Sequence, residues 1–182
     1  MIVFNNIDIL DENFQLKQNV SVRVEGNLIK EISSEPIEQK EADRVIDGKN
    51  RVLIPGFVNA HAHSPMSLMR GYGENMSLQD WLFKRIFPFE DKLNSDAVYY
   101  GTLLTMAESF KYGIVSTSDM YYFVDDMVRA ALESGAKANI SRSITNPAGA
   151  PFDSLESVRE AVEVASKYHM LADGRIRIDH SL

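Results

Sequence analysis

Over the first fifty residues apolar and polar positions alternate at the two-residue period of a half-buried strand. "MIVFNNIDIL", "SVRVEGNLIKEI" and "ADRVIDGKNRVLIPG" carry the pattern. Asn-Asn, Glu-Gly-Asn and Asp-Gly-Lys-Asn stand where the chain must reverse. Residues 1–54 therefore read as a small antiparallel β-sandwich module. After Pro55-Gly56 the pattern changes, and apolar runs of strand length alternate with stretches of helical period. That is the mark of consecutive β/α units.

A first helix is expected through "SLQDWLFKRIF", residues 77–87, capped by Ser77 and stopped by Pro88. A second runs from Asp96 to Tyr112, with Ser95 as its cap, Gly113 as its stop and Val98, Leu103, Met106 and Phe110 near one apolar stripe. "GIVSTSDMYYF" then reads as a strand, "VDDMVRAALES" as a helix closed by Gly135, and "AKANISRSIT" as a strand. "SLESVREAVEVASKYHML" reads as a helix opened by Ser154, and "RIRIDHSL" as the last strand. A closed barrel of eight β/α units takes roughly 250 residues. Residues 55–182 accordingly read as the first half of a (β/α)8 TIM-type barrel, an α/β fold. The alternative is an open doubly wound sheet, but "RGYGEN" at the first strand-to-helix junction lacks that fold's Gly-x-Gly-x-x-Gly phosphate loop.

Composition narrows the chemistry. The chain has 182 residues, 45% of them hydrophobic, and no run long and apolar enough to suggest a membrane span. Its amino terminus carries acids early and lacks the basic and small-residue regions of a signal peptide, so a cytoplasmic location is expected. With no cysteine, disulfides, thiolate nucleophiles and Cys-rich zinc sites are excluded, and any metal must be held by histidine and carboxylate. The formal charge of -7, with no clustered basic face, argues against a nucleic-acid partner.

The densest chemistry lies in "IPGFVNAHAHSPMSLMRG", residues 54–71. His61 and His63 are two apart, so on a regular strand both rings point to one face about 7 Å apart along the chain. They stand at the carboxyl end of the strand, where α/β folds gather ligands. Neutral imidazoles suit Zn²⁺ or a similar divalent ion, and an ion with an open position brings the pKa of bound water to about 7. The pair needs at least one further ligand. His169, at a helix end, reads as a surface residue; His180, on one strand face with Ile178 and Leu182, reads as a core histidine rather than a ligand.

The stretch "PGFVNAHAHSPMSLMRGYGENMSLQDWLFKRIFPFEDKLNSDAVYYGTLLTMAESFKYGIVSTSDMYY" closely resembles the amidohydrolase superfamily, in the branch of 5-methylthioadenosine/S-adenosylhomocysteine deaminases and chlorohydrolase-like enzymes. "PGFVNAHAH" carries the superfamily; "MRG", the Trp-Leu pair and "FPFED" narrow it to the branch. The resemblance implies that residues 1–54 are the N-terminal part of a composite β-sandwich and that His61 and His63 are metal ligands. It likewise implies that Glu90 of "FPFED" binds the ribose hydroxyls of a nucleoside, that Trp81 is an aromatic wall of the pocket, and that Arg142 lines the substrate site. One divalent metal is implied, zinc first, with iron or manganese as alternatives.

Three departures accompany the resemblance. Further metal ligands, a histidine from the fifth strand and an aspartate from the eighth, have no counterpart in these residues. The substrate-contacting histidine of the fourth-strand motif falls past Leu182, so that role does not pass to His180. A second pocket arginine is missing from "TNPAGAPFDSLES". The implied activity is deamination of a purine nucleoside such as 5-methylthioadenosine, S-adenosylhomocysteine or adenosine by a metal-bound hydroxide. The alternatives are a chlorohydrolase or deaminase of another aminated heterocycle (triazine, pyrimidine or guanine), or a non-catalytic binding domain on the same scaffold. The proton-transferring groups are expected beyond residue 182, which leaves this chain inactive alone. Its open sheet is expected to be completed by the rest of the polypeptide or by a second copy.

Overall fold

The computed structural model describes residues 1–40, 42–146 and 148–181, and the chain divides into two compact units, Met1–Pro55 and Gly56–Leu182. The first is a five-stranded sheet: β1 (Ile2–Leu10), β2 (Leu16–Glu25), β3 (Leu28–Ser33), β4 (Arg44–Asp47) and β5 (Val52–Leu53). β1 and β2 pair antiparallel, as do β2 and β3, but β4 and β5 both run parallel to β1. The sheet is therefore mixed, not purely antiparallel as its alternation suggests. Between β3 and β4 the chain makes a longer connection than a hairpin, which returns it beside β1 in the same direction. Ile7, Ile9, Val20 and Val22 form the small core of this unit. Val52 and Leu53 belong here, so the apolar run "VLIPGFVNA" splits between two sheets.

The second unit holds four parallel strands in sequence order, β6 (Phe57–Ala62), β7 (Ile114–Tyr121), β8 (Lys137–Ser143) and β9 (Ile176–Ser181). α4 (Val124–Ser134) connects β7 to β8, and α5 (Glu156–Tyr168) connects β8 to β9. Between β6 and β7 come a 3₁₀ turn (Ser64–Met69), α1 (Leu78–Trp81), a π-helical segment (Leu82–Ile86), α2 (Phe87–Glu90) and α3 (Ser95–Lys111). Ala138, Ile140, Ile176 and Ile178 are buried on one sheet face with Val98 and Met106 of α3, Met127 and Val128 of α4 and Val164 of α5. By strand register Ser116, Ser118, Met120, Asn139, Ser141, Arg177 and Asp179 share the opposite face, which is mostly polar and, apart from the buried Ser141, at most partly buried.

Local chemistry explains where element ends depart from expectation. Pro88 does not stop a helix. Phe87 N–H bonds the Leu82 carbonyl five residues back, and this wider turn admits a ring that has no N–H to donate. α3 is capped by Asn94, whose side chain accepts from Ala97 N–H at 2.9 Å, because Ser95 Oγ donates instead to Asp126 at 2.8 Å. Ser154 caps nothing; its hydroxyl donates to the Pro151 carbonyl at 2.6 Å and α5 starts two residues later. Gly135 does close α4, at φ 83°, where a side chain would be strained.

Nor is the buried face of α3 the expected apolar stripe. Phe110 is exposed, and Val98, Gly101, Thr102, Met106 and Ser109 face inward. Small and hydroxyl side chains bring the helix close to the 3₁₀ turn. Ser67 Oγ donates to the Gly101 carbonyl at 2.8 Å, and Thr105 Oγ1 to the Ser64 carbonyl at 2.7 Å. A Cβ on Gly101 would sit 2.8 Å from the Pro65 carbonyl oxygen and 3.2 Å from Leu68 Cγ.

Gly101→Ala tests this packing. Helix propensity alone would stabilise the variant by about 1 kcal/mol, whereas overpacking costs about 1–3 kcal/mol. We expect the clash to win and the denaturant midpoint to fall. An unchanged or higher midpoint would show that the turn yields without cost.

Candidate functional site

Strand β6 does not run in simple register with its neighbour. Asn59 pairs with Thr117 and Ala62 with Asp119, so three residue steps on β6 span two on β7. One extra residue has been inserted where Ala60 and His61 lie, and such a bulge re-aims the side chains beside it. The His61 and His63 rings stand 4.9 Å apart between centroids, edge to face.

Two adjacent residues of β7 hold the end of β6. The Met120 carbonyl lies 2.8 Å from His63 Nδ1, and Asp119 Oδ1 accepts from Ser64 N–H at 3.2 Å. The Thr105 hydroxyl holds the Ser64 carbonyl from the other side, and Met66 N–H donates to the His63 carbonyl at 2.9 Å. A ring whose Nδ1–H is spent on a carbonyl presents its Nε2 lone pair outward, the state a metal-binding imidazole takes. Asp119 is 4% exposed and its Oδ2 has no hydrogen-bond partner. Burial raises its carboxyl above the ordinary range, with Ser64 and His63 opposing the shift.

Tyr121 links the histidines to the next carboxylate. Its ring is tilted at 6.3 Å from that of His63, and its hydroxyl donates to Glu90 Oε1 at 2.7 Å. Burial pushes the Glu90 carboxyl up, against the hydrogen bond from Tyr121 and the attraction of His63. Burial and the Glu90 contact push the Tyr121 phenol far above its ordinary range, so it stays a donor.

Glu90 and Arg142 line one cavity of about 1230 Å³ at the carboxyl ends of β7 and β8. The histidines do not line it. By register with Tyr121, Arg142 falls on the helix-bearing face, its Nε 2.5 Å from Glu160 Oε2 of α5 and its guanidinium 5.0 Å from the Tyr122 ring centre. Even positions of β8 carry Ala138 and Ile140 into the core, and Arg142 keeps their parity. Trp81, partly buried against the core cluster, lies outside that cavity.

The other histidines divide differently. His169 is an exposed residue at the end of α5, as expected, yet it is not idle: its Nδ1 accepts from Ile178 N–H at 3.2 Å and pins the helix to β9. His180 is exposed although it shares the parity of the buried Ile178, so the core assignment is wrong. Leu182, the third member of that expected face, lies outside the described residues. The residues missed from the sequence were Asp119, Met120 and Tyr121. A readable signal existed: in "STSDMYY" the buried parity runs Thr117, Asp119, Tyr121, and an aspartate on a core face needs a reason.

Among the described residues no cluster of three or more His, Cys, Asp or Glu could hold a metal, and no helix is long and apolar enough to cross a membrane. The histidine pair fits two positions of a coordination shell: two imidazoles close together, one with its tautomer fixed. It does not supply a third.

Comparison with known proteins places this geometry. The family model described as "Amidohydrolase family" matches residues 52–180, and the chain belongs to that family. It is 38% identical over 177 residues to the 5-methylthioadenosine/S-adenosylhomocysteine deaminase of Dictyoglomus thermophilum, covering 97% of this chain and 40% of the relative. It is 46% identical over 156 residues to the 5'-deoxyadenosine deaminase of Methanococcus maripaludis, covering 81% of this chain and 36% of the relative. The chain thus spans about two fifths of the length of such relatives. Its fold matches that of the zinc-complexed atrazine chlorohydrolase of Arthrobacter aurescens TC1 with a TM-score of 0.83 at 19% identity, over 99% of this chain and 46% of that one.

Tyr121→Phe should move Glu90 titration further up, as followed by carboxyl carbon shifts in an NMR pH series. The sign follows from linkage. A carboxyl whose folded value lies above its ordinary 4.5 contributes stability below that pH and loses it as pH rises through the folded value. Phenylalanine widens the gap, so the variant should be more destabilised relative to wild type at pH 7 than at pH 4. Equal destabilisation at both would mean the hydroxyl does not act on Glu90.

Proposed function

We propose that this chain supplies the first half of the (β/α)8 barrel of a metal-dependent aminohydrolase that deaminates a purine nucleoside of the 5-methylthioadenosine, S-adenosylhomocysteine, 5'-deoxyadenosine or adenosine type. Residues 1–54 form the N-terminal part of its composite β-sandwich. The observation that carries this reading is the His61–His63 pair at the carboxyl end of the first parallel strand, with His63 fixed through Nδ1 on the Met120 carbonyl. The names of the relatives, all nucleoside deaminases in the cases above, support the substrate class. The polar, uncovered sheet face and the two-fifths coverage support completion of the barrel by further chain.

His61 and His63 hold one divalent ion, zinc by the donor set, together with ligands from the completing half. When bound, the ion supplies Lewis-acid activation of water near neutral pH. The residues of this chain bind and orient. The Glu90 carboxylate accepts both ribose hydroxyls while the Tyr121 hydroxyl holds one of its oxygens in place. Asp119 and Thr105 clamp Ser64, and through it the direction of the His63 ring. Arg142 lines the substrate cavity, and Trp81, outside it, packs against the core cluster.

Metal content and ammonia release test the reading in the complete polypeptide that carries these residues. His61→Ala and His63→Ala should each lower bound metal well below one equivalent and abolish turnover while far-ultraviolet circular dichroism is retained. Stoichiometric metal in the double variant would remove the ligand assignment. In a panel of adenine nucleosides, guanine and a chlorotriazine, ammonia should come from the nucleosides. Turnover of the free base or triazine alone would end the ribose role of Glu90.

A further inference from the structure

The outer edge of the parallel sheet is not bare. β9 ends the strand order β6-β7-β8-β9, so among the described residues only one of its sides is paired. Ala138 N–H donates to the Arg175 carbonyl at 3.0 Å and Ile144 N–H to the Ser181 carbonyl at 3.1 Å, which turns the backbone groups at odd positions of β9 toward β8. The even positions, Ile176, Ile178 and His180, turn theirs to the open side. An open edge of this kind is a template on which another strand can pair.

His169 sits on that template. Its Nδ1 lies 3.2 Å from the Ile178 nitrogen and 3.1 Å from the Ile178 carbonyl oxygen, the donor and the acceptor that an added strand would use. Without a proton Nδ1 accepts from the N–H, and with one it donates to the carbonyl, so one bond persists in either form. His180, on the same edge, is exposed.

Two features hold the imidazole in place. The last turn of α5 is tied to α4, because Lys167 Nζ pairs with Asp125 at 2.5 Å and the Tyr168 hydroxyl donates to the same carboxylate. The connection to β9 then reverses tightly. Met170, Ala172, Asp173 and Gly174 have left-handed backbone, with φ of 66°, 54°, 57° and 78°. Three of these four carry a Cβ, and such residues keep this conformation only where their surroundings impose it. Gly174 N–H donates to the Met170 carbonyl at 3.1 Å and Arg175 N–H to the Ala172 carbonyl at 3.2 Å, closing the turn directly behind His169.

We propose that His169 is an edge guard: it blocks strand addition at Ile178 while the sheet ends at β9, and it yields that position to a parallel strand from the completing half of the barrel. The inference rests on the barrel reading above. The occupant is an extended backbone segment, since Ile178 presents one N–H and one carbonyl, the recognition unit of a β ladder. Any strand that pairs there must first displace a hydrogen bond and the turn that backs it. A segment on the same polypeptide does so at high effective concentration, whereas a second copy of this chain has no such advantage. The guard therefore favours the correct partner over self-association.

The test compares the 182-residue chain with the complete polypeptide, each as wild type, His169→Ala and His180→Ala. Amide exchange is read by NMR at a concentration where the chain is monomeric, and self-association by sedimentation velocity. In the wild-type 182-residue chain the Ile178 amide should exchange at least about tenfold more slowly than that of His180, after correction for intrinsic rates. His169→Ala should remove this difference and tighten self-association about tenfold, the worth of one hydrogen bond. His180→Ala should do neither. In the complete polypeptide Ile178 should stay protected with or without His169, because a strand then holds its N–H. Equal exchange at Ile178 and His180 in wild type would overturn the proposal without recourse to any variant. Unchanged exchange and association in His169→Ala, or equal effects of the two substitutions, would overturn it as well. So would a 182-residue chain with no native circular dichroism, since a guard presupposes a sheet to guard. Loss of Ile178 protection in the complete His169→Ala polypeptide would fail the barrel reading and leave the guard standing.

Discussion

The pairing of β6 with β7 is the constraint on which the rest of the site depends. A parallel ladder is a continuous hydrogen-bonded register, and the extra residue before His61 can persist only because groups on β7 hold the strand beyond it. Met120 and Asp119 do so from the backbone and the side chain, on adjacent residues of one strand and adjacent residues of the other. This arrangement fixes the His63 ring relative to the sheet, and the His61 ring stands edge to face against it. It also explains why α3 carries Thr102, Thr105 and Gly101 inward: the turn after His63 must lie close to the helix, and only small or hydrogen-bonding side chains let it.

A cost accompanies the clamp. Asp119 is buried with one oxygen unpartnered, and Ser64 Oγ and Thr117 Oγ1 beside it on the same side of the sheet are likewise without partners. Unpaired buried polar groups cost roughly 1–3 kcal/mol each. Natural folds retain them mainly where function needs the group, and here they border the strand end that carries the candidate metal ligands. Glu90 repeats the theme, since a half-buried carboxylate is kept oriented by a phenol that burial has made a permanent donor.

Much of this could be read along the chain. The β/α alternation, the glycine that ends α4 and the His-Ala-His at a strand end are local patterns, and local patterns survive into the fold. Features decided by partners distant in sequence could not be read. Nothing near Arg44 announces that its strand will lie parallel to β1, and nothing near Pro88 announces a π turn. Ser95 looks like a cap until Asp126, thirty-one residues away, takes its hydroxyl. Arg142 ends a strand as expected, but its pairing with Glu160 depends on the register that sets it beside Tyr121. The resemblance supplied the roles of single residues, and the structure supplied their contacts: His63 beside Tyr121, Tyr121 bonded to Glu90, and Glu90 lining one cavity with Arg142.

That grouping has a consequence for how the site divides its work. Glu90 is the point where the histidine contacts and the cavity meet, bonded to Tyr121 and lining the cavity of Arg142. Under the nucleoside reading proposed above, a ligand bridging the two would set its ribose at Glu90, between the base and the 5' carbon. The histidine end is built from strand termini anchored on groups of β7. At the other end are the loop after β8 and the side chains of α5, joined through an arginine–glutamate pair whose glutamate is 45% exposed. Partly solvated pairs of this kind contribute little to stability. Breaking the Arg142–Glu160 pair is therefore expected to change the cavity at the end of β8 while the strand end that carries His63, anchored on β7, stays as it is.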